Sequence, residues 1–95
     1  MRTKISDLLA EGLLVPGDVI EWYRKKSGQC LIGSIEPNGK IKLDDGRVFD
    51  SPSGAASKAA GVRAVDGWTA WTVKRLNGKL LDDLRVQYED QISRN

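Results

Sequence analysis

The residues in this chain that could do covalent or acid–base chemistry are few. Two pairs of adjacent carboxylates stand out, Asp44-Asp45 and Asp82-Asp83, with a single cysteine, Cys30, and the hydroxyls of a Ser-Pro-Ser run, Ser51 and Ser53. Histidine is absent, which removes the commonest general base and a principal zinc ligand. Asp44 and Asp45 sit beside Gly46, where Asp suits a tight turn. Asp82 and Asp83 open the last helical segment, where negative charge complements the helix dipole. Neither pair has the second acid or the ligand set that hydrolysis or metal binding requires. Cys30 lies in a strand-like run with no base to activate it and reads as a structural thiol. The serines lack a base as well, and SPSGAASK does not contain the GxxxxGK[ST] pattern of a phosphate loop. The sequence therefore predicts no catalytic residues, no cofactor and no metal site.

Binding chemistry is better represented. SPSGAASKAA, residues 51–60, starts a helix from side chains that are almost all small. Ser51 is a natural N-cap and Pro52 suits the first helical position. A helix N-terminus has free N–H groups and partial positive charge, which favour phosphate. Ser51 and Ser53 add hydroxyl donors, and Lys58 and Arg63 follow as cations. The plainer reading is a capped, alanine-rich helix packed closely on a sheet. Trp68 and Trp71 offer the same choice. In a strand, Trp71 would share a face with Val73 and enter the core. Trp68 would lie on the other face, at the core edge or as a stacking surface for a base.

The elements that must position these residues follow from pattern. Ile5, Leu8, Leu9 and Leu13 predict an amphipathic helix over about residues 3–11, ended by Gly12. DVIEWYRK alternates, with Val19, Glu21 and Tyr23 facing one way and Ile20, Trp22 and Arg24 the other. QCLIGSIE predicts a second strand. Asn38-Gly39 is a hairpin signal before KIKL, and Asp45-Gly46 turns the chain into RVF. The central helix ends at Gly61, WTAWTVK reads as one strand, and a last helix begins near Leu81. The expected fold is a small single α+β domain over residues 1–95. It has a curled antiparallel sheet of four to five short strands with N-terminal, central and C-terminal helices.

At 95 residues the chain holds one domain. Its net charge of +2 comes from 15 basic and 13 acidic residues. That is too mild to announce a polyanion binder, so such binding must come from local arrangement. Counted over residues 1–48, 49–76 and 77–95, the largest excess falls in 49–76, which hold the small-residue helix. One cysteine excludes an internal disulfide and fits a reducing compartment. No signal peptide or membrane-length apolar run is visible, so a soluble, intracellular protein is expected.

Three blocks resemble the RAMA family, the restriction-system adenine-methylation-associated module. They are ISDLLAEGLLVPGDVI (5–20), DGRVFDSPSGAASKAAG (45–61), and VDGWTAWTV (65–73) trailed by LDDLR (81–85). The resemblance implies a small α+β domain, attached to DNA methyltransferases, nucleases or peptidases, or standing alone. It implies DNA binding, with methylated adenine as the modification in view, and does not imply catalysis; the expected function is a non-catalytic module for double-stranded DNA. By position it points to Ser51 and Trp68; Ser53, Lys58 and Arg63 are added on electrostatic and hydrogen-bonding grounds. Asp66 departs from the Asn that many relatives carry before the Gly-Trp. An acid there suits DNA only if it points inward or caps a turn. The competing expectation is a protein-interaction module that docks through an exposed patch containing Trp22 and Tyr23.

Overall fold

The computed structural model describes residues 3–94. Helix α1 (Ile5–Ala10) leads into strands β1 (Val19–Arg24), β2 (Gln29–Ile35), β3 (Ile41–Leu43) and β4 (Val48–Phe49). Helix α2 (Pro52–Ala60) and the short α3 (Gly67–Ala70) precede β5 (Thr72–Val73), a 3-10 turn (Lys74–Leu76), β6 (Lys79–Leu80) and α4 (Leu81–Ser93). The strands form one six-stranded sheet in the order β4-β3-β2-β1-β5-β6, antiparallel throughout. The α+β class and antiparallel meander are as expected, with one or two more strands.

The register explains the core. Ile20 lies opposite Gly33 and Val73, and Ile35 opposite Ile41, so the alternation aims these side chains at one face. Leu8, Ile20, Ile41, Ala55, Ala56, Trp71, Val73 and Leu81 are wholly buried there. The other face carries Tyr23, Ile32, Lys42 and Val48, all exposed. Ala55 and Ala56 account for the lack of bulk in α2, because a helix of small residues can lie close on its neighbours.

WTAWTVK corrects the expectation of a single strand. Residues 67–70 form a helical turn, and the chain is extended only at Thr72–Val73. The Asp66 carboxylate accepts from the Trp68 N–H (3.1 Å) and caps that turn, and the Thr69 hydroxyl donates to the Asp66 carbonyl (3.1 Å). Trp71 is core nonetheless, for a different reason from strand alternation.

An ion pair between a buried carboxylate and a half-exposed arginine fixes the foot of β1. Asp18, 4% exposed, receives Nε and a second guanidinium nitrogen of Arg75 at 2.7 and 2.9 Å, and the Val15 N–H at 2.9 Å. The hydrogen bond from Arg75 holds the Asp18 carboxyl below its usual pKa, against the opposing effect of burial. Of the two carboxylate pairs, Asp45, Asp82 and Asp83 are bonded within the fold. Asp83 accepts from the Leu80 N–H at the start of α4 (3.1 Å), and Asp45 from the Arg47 N–H in the β3–β4 turn (3.0 Å).

Candidate nucleic-acid interface

The Ser-Pro-Ser and Gly-Trp runs are fastened to each other. The Trp71 indole N–H donates to the Pro52 carbonyl (3.0 Å) inside the core, and the Gly67 N–H donates to Ser53 Oγ (2.9 Å). Gly67 lies so close to the Pro52–Ser53 peptide that a Cβ on it would stand 2.1 Å from the Pro52 carbonyl carbon. Only glycine fits that approach. Ser51 caps α2, its Oγ accepting from the Gly54 N–H (3.1 Å). The hydroxyl protons of Ser51 and Ser53 are not spent in these bonds, since each oxygen acts there as acceptor.

Around this lock opens a concavity of about 790 Å³. The residues before and within α1 supply Thr3, Lys4 and Ser6; the β2–β3 turn supplies Asn38, Gly39 and Lys40. Asp50, Ser51 and Ser53 form the α2 side, and Trp68, Arg85 and Glu89 complete the wall. The turn reaches α1 because Gly39, at φ +87°, packs against Ser6; a Cβ there would meet Ser6 Cβ at 3.1 Å. Three cations face two carboxylates. Lys40 pairs with Asp50 (3.3 Å), and Glu89 accepts from the Thr3 hydroxyl (2.7 Å). Arg85 pairs with Asp82 and lies over the Trp68 ring, 4.9 Å from its centroid, a cation–π distance. Lys4 joins no ion pair among the described residues. The site thus offers hydroxyl donors, a free ammonium and an aromatic surface, with its acids largely engaged.

A family model described as RAMA, Restriction Enzyme Adenine Methylase Associated, matches residues 1–94. The chain belongs to the RAMA family. The family is associated with restriction and adenine-methylase systems. No curated protein matches the chain.

In this RAMA domain, three of the five residues expected to bind nucleic acid converge: Ser51, Ser53 and Trp68 line one concavity. Lys58 and Arg63 do not join them. Lys58 is in the last turn of α2, about 10 Å along the axis from Ser51 at 1.5 Å per residue, and Arg63 lies past the Gly61 cap. Both are exposed, and Lys58 suits the negative end of the helix dipole. The cations at the serines are instead Lys4, Lys40 and Arg85, which sequence reasoning missed. Arg85 carried a signal, since it closes the LDDLR block of the family resemblance. Lys4 and Lys40 carried none, because only the tertiary contact of Gly39 with Ser6 brings them together. Asp66 is tied to the turn it caps. Among the described residues no three His, Cys, Asp or Glu side chains gather as a metal site, and no helix is long and apolar enough to cross a membrane.

Proposed function

We propose that this RAMA domain is a non-catalytic module that binds double-stranded DNA through the concavity at the start of α2. The observation that carries this reading is the convergence of Ser51, Ser53 and Trp68 with Lys4, Lys40 and Arg85. In it the serine hydroxyls and Lys4 hold phosphate, contacts that position the duplex without reading sequence. Trp68, kept in place by Arg85, meets a sugar, a base edge or an extruded base. The family's link to adenine methylases makes N6-methyladenine the modification to test, and a methyltransferase, nuclease or peptidase domain the kind of protein it serves. An intracellular location follows from that partner. Non-catalysis rests on the hydroxyls: Ser51 and Ser53 receive backbone N–H groups, and no histidine exists to act as base. The competing docking patch is weakened by its own residues, because Trp22 is half-buried against Trp71 while Tyr23 alone stands out.

Titration of the labelled protein with methylated and unmethylated duplexes at low salt tests the reading. Amide shifts should concentrate at residues 4, 38–40, 51, 53 and 68. Trp68→Ala should weaken binding about tenfold, in line with the loss of one stacked base. Lys4→Glu, whose exposed side chain leaves the fold intact, should weaken it several-fold. An unshifted concavity would sink the proposal, and equal affinity for both duplexes would remove the methyl-specific part.

A further inference from the structure

The positive charge of this molecule is more sharply placed than the count over residues 1–48, 49–76 and 77–95 suggests. From Trp22 to Ile35 the chain contains Arg24, Lys25 and Lys26 and no acidic residue. The remaining residues carry 12 basic and 13 acidic groups, so the whole net positive charge resides on the β1–β2 hairpin. This hairpin outruns the sheet. β1 pairs with β5 only at Ile20 and Glu21, and β2 pairs with β3 only at Gly33–Ile35. Beyond those points Tyr23 and Arg24 pair only with Cys30 and Gln29, as a two-stranded ribbon closed by Lys25–Gly28. Its cations are uncommitted: Arg24, Lys25 and Lys26 take part in no ion pair among the described residues. Arg24 is aimed by its neighbours, donating to Gln29 Oε1 (2.8 Å) and lying 5.3 Å from the Trp22 ring centroid. Tyr23, 62% exposed, adds an aromatic ring beside the basic residues.

Clustered cations, no acid, and a solvent-facing aromatic on a narrow ribbon match a polyanion, and a two-stranded ribbon is one of the two elements a duplex major groove admits. We propose that the β1–β2 hairpin is a second DNA contact. It enters the major groove with Arg24, Lys25 and Lys26 against the flanking phosphates and Tyr23 against the sugar–base edge. This rests on the DNA-binding reading but concerns a different surface. The seven residues of β2 separate the ribbon tip from the Asn38–Lys40 turn by about 20 Å at 3.3 Å per residue.

The test uses the full chain, a fluorescein-labelled duplex and a Lys25→Gln/Lys26→Gln variant. Each phosphate contact contributes about 0.9 to the salt slope, so the variant should lower the slope of log Kd against log salt by roughly 2. An unchanged slope overturns the proposal. Amide shifts locate the contact. Shifts at residues 23–30 support it, whether or not the concavity also shifts; without the concavity, only the reading of the first site falls. Shifts confined to the concavity overturn the ribbon contact and leave that reading standing; no shifts anywhere overturn both. Shifts at 23–30 as large with a polyglutamate peptide would assign the ribbon to an acidic protein surface and overturn the proposal. Tyr23→Ser should weaken duplex binding several-fold at constant slope, and no change would remove the aromatic contact.

Discussion

The concavity and the hairpin ribbon lie at opposite ends of β2, and they are built on opposite terms. At the concavity nearly every distinctive residue is already engaged. Pro52 accepts from Trp71, Ser53 from Gly67, Ser51 from Gly54, and Asp66 from Trp68. On the ribbon the polar groups face water, and Lys25 and Lys26 hold nothing. The motif residues of the concavity are therefore tied into the fold, with the serine hydroxyl protons left over to donate. The lysines of the ribbon are tied to nothing.

That contrast can be broken by substitution. The largest effect is expected at Gly67→Ala, which drives a Cβ into backbone that cannot retreat. It should cost about 3 kcal/mol or more, read by denaturant unfolding; a near-native midpoint would show that the lock is loose. Asp18→Asn should cost about 2 kcal/mol, because it removes the charge from a hydrogen-bonded pair whose arginine is half in water. The pH dependence has a definite sign. Asp18 is depressed from an ordinary value of 3.8, so its stabilisation is fully present above that value and fades as pH falls through the lower, folded one. Wild type and variant should converge in stability only below about pH 4. Ser51→Ala removes an N-cap and should cost about 1 kcal/mol. The smallest effect is expected from Lys25→Gln/Lys26→Gln, within about 0.5 kcal/mol by the same unfolding measurement. A larger loss would mean that the ribbon is committed to the fold after all.

Legibility in the sequence followed the range of the forces involved. Local chemistry was readable. Ser51, Pro52 and Gly61 delimit α2 as expected, and Asn38-Gly39 and Asp45-Gly46 turn the meander. WTAWTVK misled because Trp and Thr favour strands, whereas the N–H groups of Gly67 and Trp68 are drawn into a helical turn by Ser53 and Asp66 respectively, partners that strand propensity does not register. The site divided in the same way. Ser51, Ser53 and Trp68 converge through the lock that joins the two runs of the family pattern. Lys58 and Arg63, chosen for nearness in sequence, were carried away by the length of α2. Lys4 and Lys40 arrived through a contact between α1 and a turn more than thirty residues on. The ribbon stayed hidden because Lys25, Lys26, Ser27 and Gly28 read as a polar connection until the unequal lengths of the strand pairings expose it.

Trp22 sits at the root of that ribbon, its ring meeting Trp71 edge-on at a centroid distance of 6.2 Å while Arg24 covers it from the tip side. A basic tail without such a root must give up conformational freedom each time it is captured. Here that freedom was surrendered once, when the indoles met in the folding chain. Whatever surface the ribbon touches, it arrives as a spur whose backbone order was settled on folding, so only its side chains remain to be fixed.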